Sequence, residues 1–308
     1  MESRYSELTK GLSLAKKERI WEIDFLRCLP LILMVLYHFC FDMDFLPSVI
    51  SNYAAFSTSH PGFSAFQIYA AGVSESPDIE LYLVPLFGGI FLFVCGLSTS
   101  LSHNNLRRGL LLWLGALVIS LATGLASYFL ESDLFINFGV IHLMAFCVTL
   151  YALLDSLSLK LFKKELSSLF LLALGLLILL IGVFLNIGFK TSTGSIYIWP
   201  VTFSNGGLVN MLKKDPWSLV LSALGYYANT TDWWPIFPFG GVIFIGMALG
   251  KNLYGTTHQS LFPKISNCKV IKPFCFFGRH TIWVYLLHQP ILILILFVVL
   301  TAMGAKII

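Results

Sequence analysis

The sequence predicts an all-α integral membrane protein: a single bundle of about seven transmembrane helices, with two long external loops and a cytoplasmic N-terminus. Three observations predict it. Of the 308 residues 57% are apolar and only 12% charged, and the mean hydropathy is +0.81, far from the balance of a soluble domain. Apolar runs of spanning length recur near 22–46, 83–103, 109–130, 138–156, 166–187, 235–250 and 278–302. When these runs alternate across a bilayer, most basic residues fall on the starting face, among them Arg19, Arg27, Arg107, Arg108, Lys163, Lys251, Lys272 and Arg279. Lys190, Lys213, Lys214 and Lys306 fall opposite, so the positive-inside rule puts the N-terminus in the cytoplasm. The net charge of +4 therefore reads as topology and not as a nucleic-acid surface.

Residues 1–18 form a polar N-terminal segment, and 19–308 a single transmembrane domain. The basic start leads into a span too long for a cleaved signal and without a small-residue cleavage site, so the first span is expected to be retained. That span, RIWEIDFLRCLPLILMVLYHFCFD, carries Asp24, Arg27, His38 and Asp42. At about 100° per residue all four fall within an arc of roughly 60°, making one polar seam. Arg27 and His38 lie about 16 Å apart along the axis, half of a hydrocarbon core about 30 Å thick. Ionisable groups at that depth must face protein or a wet cavity, which marks the seam as a candidate functional site.

Residues 47–82 read as a long external loop, rich in aromatics and holding His60, that serves as an interfacial lid or substrate-facing segment. The second span brings Gly88, Gly89 and Gly96, small residues that let helices approach closely. It ends in His103, Arg107 and Arg108, which are either positive-inside anchors or the start of an anion site. The third span has no ionisable residue and reads as scaffold. The fourth opens with INFGVIHLMAF, where His142 is either bonded to a nearby backbone group or shares a site with His38. The fifth has only Asn186 as a polar feature. In the second external segment, 188–234, IYIWPVTF suggests an extended strip and SLVLSALGYYA is too short to span. DWWPIFPFGG then enters the sixth span, with Asp232 as a cap for that helix or a partner for an external ligand. The basic stretch 251–275 leads to FFGRHTIWVYLLHQP, which places Arg279 and His280 at the inner rim and Thr281, Tyr285 and His288 on one face. Pro290 implies a kink with a freed carbonyl.

None of the six cysteines lies in an expected external loop, so no disulfide is expected, and HFCFD offers too few ligands for a metal site. No phosphate loop, dinucleotide fingerprint or internal repeat is present.

Together, RIWEIDFLRCLPLILMVLYHF, FGVIH, FPFGG, GMALGK and GRHTIWVYLLHQP resemble the bacterial membrane proteins related to the catalytic part of heparan-alpha-glucosaminide N-acetyltransferase, within the transmembrane acyltransferase superfamily. The resemblance touches the first, second, fourth, sixth and seventh spans. It departs at Cys28 and Pro30, where the family favours small residues, and in the loop after the first span. There the lysosomal relatives keep their catalytic histidine beside a tryptophan, whereas this loop has His60 and no tryptophan. His38 stands where relatives keep a polar residue at the end of the LILMV run, which makes it, and not His60, the first choice for the catalytic histidine.

The resemblance implies a multi-pass enzyme of the plasma (bacterial cytoplasmic) membrane that moves acetyl from cytoplasmic acetyl-CoA to a hydroxyl or amine of an extracytoplasmic sugar or glycan. The expected partners are those substrates, the lipid bilayer and a second copy in a homodimer, with no nucleic acid. The residues themselves fit this chemistry. The arm of CoA, on the order of 15–20 Å, is comparable with the rise from Arg27 to His38. Arg27, Arg107, Arg108 and Arg279, with Asp24, His280 and Tyr285 beside them, would hold the donor. His38, His142 or His288, with Asp42, would act on the thioester as base, nucleophile or oxyanion donor. Direct transfer and an acetyl-histidine intermediate both remain open. A proton-coupled transporter using the same histidines, or a scaffold subunit, are the rival readings.

Overall fold

The protein was described from a computed structural model, which covers residues 20–129, 134–187, 217–225, 232–255, 259–265 and 268–307. In chain order the helices are α1 (Trp21–Val49), α2 (Tyr53–Ser59), α3 (Pro61–Ser74), α4 (Val84–Leu97), α5 (Asn105–Phe129), α6 (Val140–Phe162), α7 (Ser168–Ile187), α8 (Trp217–Leu224), α9 (Gly241–Tyr254), α10 (Ile271–Arg279) and α11 (Thr281–Ala302). Short π turns precede α4 and α9, and 3-10 turns follow α4 and precede α10.

Among the described residues, six stretches are long and apolar enough to cross a membrane: Trp21–Val49, Val84–Leu101, Asn105–Phe129, Val140–Phe162, Ile236–Tyr254 and Thr281–Ala302. The expected span 166–187 is the helix α7, whose apolar stretch Ser168–Phe184 is shorter than those six. At 29 residues α1 is about 43 Å long, more than a hydrocarbon core of about 30 Å requires.

The main core joins α4, α5, α6, α7 and α9 around Leu92, Ala116, Leu143, Val148, Leu171, Phe244 and Met247. Close backbone approach makes it possible. A Cβ at Gly96 would strike the Ile243 carbonyl on α9, and one at Gly246 would strike the Phe93 carbonyl on α4. Gly88 lies under the Trp234 ring, whereas Gly89 faces open space and has no packing role.

The stretch 47–82 is not the loop expected from its composition. Within it α2 and α3 fold back along the outer half of α1. Gln67 donates to the Met43 carbonyl at 2.8 Å and accepts from the Tyr53 hydroxyl at 2.7 Å, while Met43, Leu46, Phe56, Ala70 and Leu300 form a second small core. The chain end closes this region, with Ser51 N donating to the Lys306 carbonyl and Asn52 Oδ1 accepting from Lys306 N.

The last span also differs from expectation, beginning at Thr281 and not at 278. Chain direction changes at His280 (φ −101°, ψ 22°), and the residues before it form the separate helix α10. This helix presses so closely on α1 that a Cβ at Gly278 would collide with the Asp24 carbonyl. The IYIWPVTF segment lies outside the described residues. Of SLVLSALGYYA, Trp217–Leu224 is a helix of 8 residues, too short to span.

Candidate active site

The close approach of α10 and α1 sets the first half of the site. Asp24, with its side chain only 10% exposed, takes Arg279 Nε at 3.1 Å on one oxygen and Arg27 Nη1 at 3.6 Å on the other. Arg27 also donates to the Ser98 hydroxyl. Arg108 reaches from α5 to the Cys95 carbonyl at 3.2 Å. Asn104 starts α5 by accepting the Arg107 amide at 2.8 Å.

These anchors leave the four guanidinium groups around one cavity of about 380 Å³, whose wall includes Arg27, Arg107, Arg108, Arg279, Thr281 and Tyr285. That volume lies within the usual range for a small-molecule site. Four guanidinium groups against the single Asp24 carboxylate give it a strongly positive character, suited to phosphate oxygens. Asp24 braces two of the arginines from behind. His280, expected beside them, does not line this cavity. Its ring is exposed, lies 4.6 Å from Phe276 and bonds the Phe276 carbonyl at 2.8 Å.

Tyr285 joins this cavity to deeper polar groups. Its ring stacks with Phe91 at 6.5 Å, its hydroxyl donates to Asp232 Oδ2 at 3.0 Å, and its carbonyl is 2.7 Å from His288 Nδ1. A backbone carbonyl only accepts, so Nδ1 of His288 carries hydrogen, and in the neutral ring Nε2 holds a lone pair. That Nε2 is buried and has no hydrogen-bond partner.

Against His288 stands His38, with ring centroids 4.9 Å apart. One turn further out on α1, Asp42 Oδ1 accepts from Gln289 Nε2. Thus α1 and α11 meet through two facing pairs, His38 with His288 and Asp42 with Gln289. The seam of α1 is one surface in the fold: its N-terminal half faces the arginine cavity and its C-terminal half faces α11.

His142 is not part of this meeting. Gly139 N donates to its Nδ1 at 3.3 Å, which leaves the hydrogen on Nε2, 2.9 Å from the Ser120 hydroxyl. Ser120 donates in turn to the Ile136 carbonyl. Both ring nitrogens are committed, and the neighbouring rings are Trp113 and Phe138. The ring neighbours of His38 are instead Tyr37 and His288.

Asp232 does not cap the helix that follows it. It accepts the Val140 amide at 3.3 Å, at the start of α6, together with the Tyr285 hydroxyl. Burial raises its carboxyl pKa, and hydrogen bonds from Tyr285, the Val140 amide and Trp234 oppose the rise. Its proximity to Gly139 is structural: a Cβ there would strike the carboxylate.

Sequence reasoning assigned no role to Ser98, Ser120 or Gln289. Each is a neutral polar residue inside an apolar helix, and its role appears only once the facing helix is known.

The family profile described as heparan-alpha-glucosaminide N-acetyltransferase, catalytic, matches residues 19–75 and 62–290. Comparison with curated proteins and with solved structures gave no match. The matched region contains the arginine cavity, both facing pairs, Tyr285 and Asp232. The chain belongs to the catalytic-domain family of heparan-alpha-glucosaminide N-acetyltransferase, a family of membrane acetyltransferases.

Proposed function

We propose that this protein takes acetyl-CoA into the arginine cavity and transfers its acetyl group to a hydroxyl or amine of an extracytoplasmic sugar or glycan, with His288 as the general base. One observation carries this reading: Tyr285 lines the cavity bearing four arginines, and its carbonyl fixes the tautomer that leaves His288 Nε2 unpaired. Phosphates would pair with Arg27, Arg107, Arg108 and Arg279 at the basic end of the bundle. The thioester would lie past Tyr285, at the pair His38 and His288.

In the transfer step His288 Nε2 accepts the proton of the attacking O–H or N–H, and the new bond forms to the thioester carbonyl carbon. His38, 4.9 Å from His288, is placed to donate to the developing oxyanion. Collapse breaks the C–S bond, and the departing thiolate takes the proton back from His288, giving free CoA and the acetylated acceptor. His142 has no part in this step, since both its nitrogens are engaged.

The test is a CoA titration of purified protein in detergent, read as a rise in unfolding temperature. The expected result is a saturable rise that weakens in Arg279→Ala. No rise at millimolar CoA would overturn the proposal and favour a transporter, which needs no CoA.

A further inference from the structure

We infer that Asp42 and Gln289, beside His288, form the recognition face for the acetyl acceptor, and that this face takes a group rich in hydrogen-bond donors and without negative charge. The inference rests on the acyl-transfer reading and extends it to the second substrate.

Three buried atoms at the meeting of α1 and α11 have no hydrogen-bond partner: Asp42 Oδ2, Gln289 Oε1 and His288 Nε2. All three are acceptors. With Asp42 as a carboxylate, the Gln289 amide has only one orientation that pairs donor with acceptor, Nε2 towards Asp42 Oδ1, and this leaves Oε1 free. The Tyr285 carbonyl likewise fixes His288 with Nε2 free. Each of these three unpartnered atoms therefore requires a donor.

A carboxylate, sulfate or phosphate at this face would bring acceptors to acceptors. It would also place its charge beside Asp42, which forms no ion pair among the described residues. The arginines that could neutralise such a group line the donor cavity, and the one on α1, Arg27, lies about 16 Å along that helix from His38. An ammonium, amine or polyol fits instead, and the group nearest Nε2 becomes the nucleophile. The face lies on the half of α1 along which α3 also packs, where Ser74 Oγ donates to the Cys40 carbonyl and Gln67 to the Met43 carbonyl.

The experiment follows thiol release from acetyl-CoA by the full-length protein in proteoliposomes offered glucosamine, glucose or glucuronate, which are cationic, neutral and anionic at neutral pH. Glucosamine or glucose should accelerate release and glucuronate should not. In Asp42→Asn the KM for the effective sugar should rise more than tenfold, with kcat changed less than threefold and the KM for acetyl-CoA unchanged. Gln289→Met supplies the same test should Asp42→Asn not fold. Equal acceleration by glucuronate, acceleration by none of the three sugars, or an unchanged acceptor KM in the folded variant would overturn the inference. A CoA-induced thermal shift that persists in that case leaves the donor reading standing, and loss of that shift in the unaltered protein would sink both.

Discussion

His142 and His288 lie in neighbouring parts of the same bundle, yet they are bonded in opposite ways. His142 receives the Gly139 amide on one nitrogen and meets Ser120 with the other, so its ring fastens the start of α6 to α5. His288 fastens only one nitrogen, to the Tyr285 carbonyl of its own helix, and keeps the other free beside His38. Depth in the bundle is thus shared by the two histidines, and what separates them is whether local backbone and hydroxyl groups have used the second nitrogen.

The largest effect should separate these two residues. His288→Ala should lower acetyl transfer about 10²- to 10⁴-fold, the usual range for loss of a positioned general base. Its CoA-induced thermal shift should remain. A stopped assay of labelled acetyl transfer checks this, and near-normal turnover in the variant would remove His288 from the chemistry.

Next comes the donor cavity. Arg279→Ala removes one charge-assisted contact to phosphate, which corresponds to about 1.5–3 kcal/mol, or roughly a 10- to 150-fold rise in the Kd for CoA. Arg107, bonded through its backbone amide to Asn104 and exposed, should show a smaller loss on the same substitution. Equal losses, measured by equilibrium binding, would mean that the Asp24 brace does nothing to organise the site.

Asp232→Ala should cost about 0.5–2 kcal/mol of stability through loss of the Val140 cap, measured as a lower unfolding temperature. It should also slow transfer, because the Tyr285 hydroxyl loses its acceptor. The smallest catalytic effect belongs to His142→Ala. Leaving Ser120 and the Gly139 amide without their partner should cost about 1–3 kcal/mol of stability, while turnover per folded molecule stays within about threefold of the parent.

The helical periodicity of a single span made the seam of α1 readable, and its four polar residues do occupy one surface. Six apolar stretches were readable for the same reason: the bilayer sets their length. The region 47–82 was not, because α2 and α3 are held by the outer half of α1 and by the chain end, contacts that composition does not reveal. The arginines announced themselves by charge, but Asp24 as their shared brace required the bend at His280 and the close approach at Gly278. His142 looked equivalent to His38 because Ser120, which occupies it, sits in the apolar run 109–130, whose charged neighbours Arg107 and Arg108 lie only at the other end of α5.

Labelling with bromoacetyl-CoA, followed by peptide mass spectrometry, tests the central claim most directly, since the reagent carries its electrophile where the acetyl group would sit. The account predicts alkylation of His288, with His38 as the only other histidine modified, suppressed by excess CoA and by Arg279→Ala. CoA-protected labelling of His142 in place of that pair would contradict it.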